Sequence, residues 1–162
     1  MSIWYFTSVF LHIIFAAFWI GGMLFLPLVI LPEIKHHPDR IAILYKTGMK
    51  FRFYGWIALL GLLSTGLLNL YFRGMPFTWA FFSQSDYGIL VSWKLLIFIG
   101  ILLVSGTHDF LLGKKALEEL QVSDNRHFKM MARWSGRINL LLALVMAFLG
   151  VVLSRGGNLI GF

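Results

Sequence analysis

Three side chains in this sequence place an ionisable head among long apolar stretches: His12, Lys94 and His108. Such a group is costly inside a lipid bilayer, which makes each one a candidate for function by default. An imidazole nitrogen ligates haem iron and copper well, and a lysine amine supplies either a further nitrogen ligand or a cation for a carboxylate. His12 lies about nine residues into its apolar run, about 13 Å deep at the rise of an α-helix, and Lys94 lies about five residues into another. Entered from the same side, the two runs bring both heads to one depth. His108 follows Lys94 by about 14 residues, about 21 Å along a helix axis, too far to share an ion with His12.

Each residue also has a purely structural meaning. His12 could serve as a hydrogen bond between helices, Lys94 could extend its head toward the surface, and His108 could pair with Asp109 at a membrane boundary. His36, His37 and His127 stand in basic segments and are expected to be solvated. With no cysteine in the chain, thiolate chemistry, disulfides and iron–sulfur clusters are excluded, and any metal must use His, Met, carboxylate or Lys. The methionines form no closely spaced run within a span, unlike a methionine-lined copper path.

The elements that must position these residues follow from composition. Of 162 residues, 59% are hydrophobic and 13% charged, too apolar for a soluble domain. A span needs about 20 apolar residues, and four stretches provide them: Ile3 to Ile30, Phe53 to Tyr71, Ile89 to Leu112 and Ile138 to Leu153. The expected fold is all-α, a single four-helix transmembrane domain over residues 1–162. The first stretch has no preceding Lys or Arg, exceeds an h-region in length and lacks a small-x-small cleavage site, so it is expected to be a retained span. Pro27 and Pro32 near its end should bend or end the helix, and Gly21-Gly22 offers a smooth surface for close helix contact.

Apart from Arg73, Lys94 and Arg155, every Lys and Arg lies in the segments Lys35 to Arg52 and Lys114 to Arg137. The positive-inside rule makes both segments cytoplasmic and both termini external, which in a bacterium means the periplasmic side of the inner membrane. The net charge of +7 is therefore topological, and no nucleic-acid partner is expected. The outer connection Gly74 to Phe82 is aromatic and uncharged, suiting either an interfacial loop or a lid. Lys114 to Leu120 should prolong the third helix, and Ser123-Asp124-Asn125 should cap the next one.

Helical spacing assembles two polar stripes. Ser8, His12, Phe15, Trp19 and Gly22 share one face of the first helix, and Lys94, Phe98, Ile101, Ser105 and His108 share one face of the third. The second helix adds Gly61, Thr65, Asn69 and Arg73, the last placed to hold a carboxylate near the outer surface. The two stripes suggest an interior wide enough for a flat aromatic ligand.

The segments Phe10-Leu11-His12-Ile13-Ile14, Phe18-Trp19-Ile20-Gly21-Gly22, Leu26-Pro27, Gly61 to Gly66 and Tyr87-Gly88-Ile89-Leu90-Val91-Ser92-Trp93-Lys94-Leu95 resemble the membrane domain of the copper resistance protein D (CopD) family. They are also similar to the HemJ-type protoporphyrinogen oxidases, in which a His in the first helix, a Lys-Leu pair opening the third and a His near its end recur. His12, Lys94 and His108 stand at those positions. The HemJ-type Arg and Tyr-His after the first Leu-Pro, and its Asn-Glu-x-x-Pro opening the fourth helix, are replaced here by Leu28 to Pro32 and by Arg137-Ile138-Asn139-Leu140. The CopD resemblance implies copper handling, and the HemJ resemblance implies, for an enzyme, an oxidoreductase. The leading expectation is a haem b between the first and third helices for electron transfer or redox chemistry near the periplasmic side. His12 is its axial ligand, Lys94 is a second ligand or a propionate partner, and Trp19, Asn69 and Arg73 surround it. His108 is the candidate for a second iron. Copper binding or transport through His12, with Met23 as a further candidate, is the alternative. The other alternative is a non-catalytic subunit or assembly factor docked on a larger membrane complex, with a redox partner if electrons move.

Overall fold

A computed structural model describes residues 2–107 and 126–156. Its elements are α1 (Ile3–Phe25), α2 (Leu31–Glu33), α3 (Arg40–Phe72), α4 (Trp79–Gln84), α5 (Asp86–Thr107) and α6 (Arg126–Ser154), with no strand among the described residues. Four helical stretches are long and apolar enough to cross a membrane: Ile3–Glu33, Arg40–Phe72, Asp86–Thr107 and Trp134–Ser154. The all-α, four-span architecture expected from the hydropathy is present, and the protein is an integral membrane protein. The chain divides into two compact units, Met1–Pro76 and Phe77–Phe162.

The prolines of the first span act near its end, as expected, through a change of helix type. Pro27 has no N–H to give to the carbonyl one turn back, yet the helix does not stop. A π-helical turn over Leu26–Ile30 widens the coil, with the Leu31 N–H reaching back to the Leu26 carbonyl. The chain then runs on through α2 to Glu33. A widened turn absorbs the missing donor and leaves the neighbouring backbone groups paired.

The first basic segment is also more ordered than a connection. Only 34–39 forms the turn, held in part by the Asp39 N–H donating to His37 Nδ1 at 3.0 Å. Arg40, Lys46, Lys50 and Arg52 belong to α3, whose 33 residues extend about 50 Å against about 30 Å of hydrocarbon. The basic turns of α3 are thus those that project beyond the lipid core. Likewise α6 opens at Arg126, directly after the expected cap; that cap and Lys114 to Leu120 lie outside the described residues. Within α6 the Arg137 guanidinium sits 5.6 Å from the Trp134 ring centroid, a cation–π contact suited to the headgroup level.

α3 ends by a Schellman motif: Gly74 takes φ +68°, its N–H bonds the Tyr71 carbonyl at 2.9 Å, and Met75 N–H bonds the Leu70 carbonyl at 3.2 Å. The connection Gly74 to Phe82, expected as an interfacial loop or a lid, contains α4. Thr78 caps it by accepting from Phe81 N–H at 3.4 Å, and its exposed Trp79 and neighbouring Phe77 suit an interfacial helix.

The charge asymmetry yields a direct expectation. Because the chain has no native cysteine, single-cysteine variants can be labelled cleanly with a membrane-impermeant maleimide in intact cells. Ser83→Cys should label from outside and Lys46→Cys only after permeabilisation; the reverse pattern would overturn the orientation.

Candidate functional site

The stripe of α1 packs on α3 in antiparallel register. Ser8 Oγ donates to the Thr65 carbonyl at 3.3 Å, and His12 Nδ1 lies 2.8 Å from Thr65 Oγ1. Further inward, Phe15 fills the space left by Gly61, Trp19 packs over Gly55, where an added Cβ would lie 2.6 Å from the indole, and Gly22 receives the edge of Phe51. Trp19 and Phe51 stack at 5.8 Å between centroids. Gly22 therefore serves the close contact expected of the glycine pair, whereas a Cβ at Gly21 would have nothing within 4 Å.

Thr65 determines the state of His12. Its hydroxyl carries one proton, and at 2.6 Å the carbonyl of Gly61 takes it, a back-bond typical of Thr in a helix. Thr65 Oγ1 must then accept from His12 Nδ1–H, since an oxygen with its proton spent can only accept. The bond at Nδ1 orients the imidazole, as a supporting acceptor orients a metal-binding histidine. Gly66 lies beneath the ring, with the position of its absent Cβ 3.5 Å from His12 Cε1. Ser8 and Thr65 are each 5% exposed, so this polar seam is buried between the helices.

One turn beyond Thr65 on α3 comes Asn69, whose Oδ1 is buried without a hydrogen-bond partner. The Trp19 Nε1–H is likewise buried and unpartnered. Arg73 forms the C-cap of α3, its N–H bonded to the Asn69 carbonyl at 3.3 Å. Unit Met1–Pro76 thus brings together His12, Asn69, Arg73 and Trp19 from the expected set, but strings them along one seam. From His12 to Trp19 is about 10 Å of helix axis.

In the second unit the stripe of α5 packs on α6. Lys94 Nζ lies over Gly150, 3.5 Å from where a Cβ would stand. Phe98 and Ile101 are buried, and Asn139 Nδ2 donates to Ser105 Oγ at 2.8 Å. His108 lies outside the described residues. Each stripe packs within its own unit, and bulky apolar side chains occupy much of each seam. Among the described residues no three His, Cys, Asp or Glu gather as a metal cluster.

Sequence reasoning placed Thr65 on the right face without recognising it as the partner of His12, and it missed Ser105–Asn139. A Thr four residues after a Gly opposite the His helix was the available signal for the first; the second needed the register of α5 on α6. A double-mutant cycle over Ser105→Ala and Asn139→Leu, followed by unfolding in mixed micelles, should give a coupling of about 0.6 and at most about 1.7 kcal/mol, because the unfolded helices also find polar partners in the bilayer. Zero coupling would mean that the pair does not hold the seam.

Comparison with known proteins now bears on this geometry. A family model described as copper resistance protein D matches residues 45–153. An uncharacterized protein of Aquifex aeolicus (strain VF5) is 36% identical over 149 residues, covering 91% of this chain and 93% of its own. No solved structure matches.

Proposed function

The chain belongs to the copper resistance protein D family, and from that premise we propose that it handles copper within the membrane, with His12 as a ligand. The observation that carries this reading is the seat of His12, an intramembrane imidazole whose Nδ1 lies 2.8 Å from the buried Thr65 hydroxyl, a partner that orients the ring. Copper is the cargo here, so the chain's contribution is to orient the imidazole and to surround it with apolar side chains. Ser8 and Thr65 make the polar part of the same buried seam. Entry from the outer, periplasmic side of a bacterial inner membrane accords with the charge asymmetry and with His12 lying in the outer half of its span.

This reading replaces haem b as the one carried forward. The family description speaks of copper. Met23 does not join His12 on one ion, since 11 residues of α1 part them by about 16 Å.

The test is a copper titration of the purified full chain in nanodiscs against a competing chelator, with metal analysis of the same sample. Copper retained by the native chain supports the reading, and absence of binding overturns it. Thr65→Val removes the acceptor while keeping shape, and should weaken binding by about 10- to 100-fold, as loss of an orienting partner does elsewhere. Unchanged affinity would show that Thr65 does not hold the ring.

A further inference from the structure

Away from the seam with α1, the helix α3 carries a second ordered stripe. Lys46, Lys50, Phe53, Ile57 and Leu60 follow one another at intervals of three and four residues, which places them along one face. All five are exposed: Phe53, Ile57 and Leu60 at 64%, 46% and 63%, and both lysines with them. The buried residues Gly55, Ala58 and Thr65 belong to other positions of the helix. At the basic end, Tyr45, Thr47 and Met49 join the two lysines in lining a shallow groove.

Depth decides what this face meets. Counted back from Phe72, about 20 residues fill about 30 Å of hydrocarbon and end near Phe53. Lys50 then stands about 4 Å past that edge, within a headgroup layer about 5–7 Å deep, and Lys46 about one turn further. From Phe53 to Leu60 the apolar part of the stripe covers about 10 Å of the roughly 15 Å of one leaflet. Cationic heads and an apolar track therefore meet at the boundary in the order in which a phospholipid presents its headgroup and its acyl chain. Charge selects the kind of headgroup. Glu33 and Asp39 are the only carboxylate side chains of Met1–Pro76, and neither lysine forms an ion pair with any described residue. Asp39, the N-cap of α3, is about 10 Å from Lys46 along the helix. Two lysines one turn apart, unneutralised by the protein, favour a headgroup of net negative charge over a zwitterion that brings its own cation. We propose that this face of α3 binds an anionic phospholipid, with Lys46 and Lys50 on the headgroup and Phe53, Ile57 and Leu60 along an acyl chain. The inference is independent of the copper reading.

The experiment titrates the full chain in detergent micelles with phosphatidylglycerol and, separately, with phosphatidylcholine of the same acyl chains, and reads bound lipid by native mass spectrometry. Phosphatidylglycerol is expected to bind more tightly. Lys46→Gln/Lys50→Gln should weaken that binding by about 30-fold, about 5-fold for each lysine, and leave phosphatidylcholine unchanged. Lys35→Gln/Arg40→Gln removes the same charge from the turn and from the first turn of α3, and should keep the native affinity. Lys46→Arg/Lys50→Arg, which preserves both charges, should restore binding and guards against a folding defect in the first pair. Equal affinity for the two lipids would overturn the proposal. So would equal losses in the two Gln pairs, which would reduce the effect to diffuse positive charge. Displacement of phosphatidylglycerol by an equal concentration of glycerol 3-phosphate, which carries the phosphate without the chains, would make the groove a soluble-phosphate site and overturn the lipid assignment.

Discussion

His12→Ala is expected to strip copper from the purified protein while the protein continues to insert and fold. Two magnitudes separate these effects. A hydrogen bond between helices in a bilayer is worth on average about 0.6 kcal/mol, so losing the contact from His12 to Thr65 leaves the seam of α1 and α3 standing on its apolar packing. Loss of an orienting partner alone costs about 10- to 100-fold in metal affinity, and loss of the ligand itself must exceed that. The expected drop is therefore at least about 100-fold, or about 2.8 kcal/mol at 1.4 kcal/mol per decade. His36 and His37 provide the control, because a neighbouring exposed pair in the turn outside the span can bind copper adventitiously. The variant with both changed to Ala should retain the affinity of the native chain. If copper is lost there and kept in His12→Ala, the ion belongs to the turn and the intramembrane assignment falls.

Gly88→Ala should cost more stability than alanine at any other glycine of the described helices. A Cβ on Gly88 would overlap the carbonyl group of Phe81 in the middle of α4. That carbonyl cannot turn aside freely, since it accepts from Ser85 Oγ at 2.7 Å and from Ser85 N–H at 3.3 Å. Ser85 in turn caps α5 by accepting from the Gly88 N–H at 3.0 Å. Relief requires α4 to lift from α5, breaking these bonds and the one from Ser92 Oγ to the Phe82 carbonyl. Overpacking of this kind costs about 1–3 kcal/mol. At Gly22 the overlap is with the ring of Phe51, a side chain that can swing, so Gly22→Ala should cost less. Gly21→Ala, with open space around it, should stay within about 0.5 kcal/mol of the native chain. Thermal unfolding of the three variants, with proteolysis at Phe77 to Ser85 as the local readout, provides the ranking. A Gly88→Ala protein that melts and resists protease like the native chain would contradict the close approach of α4 to α5.

Membership of the membrane, the number of spans and the faces of the helices were legible in the sequence, because each depends on a local property. Apolar length alone makes a span, since an unpaired backbone in hydrocarbon is too costly for anything but a helix or a closed barrel. The 3.6-residue period alone puts Ser8, His12, Phe15, Trp19 and Gly22 on one stripe, and these side chains do meet α3. Local rules were coarser where two local solutions compete. Pro27 breaks one hydrogen bond, yet a π turn re-pairs its surroundings, and Thr78 turns an aromatic loop into α4. What only the tertiary structure decided was the partner of each stripe. A stripe states which side chains are turned inward and is silent on what they face, since that depends on the register between helices far apart in sequence. The register of α3 on α1 gives Thr65 to His12, and that hydroxyl orients the imidazole. The register of α6 on α5 likewise sets Asn139 against Ser105 and Gly150 beneath Lys94, pairings that no spacing within a single helix encodes.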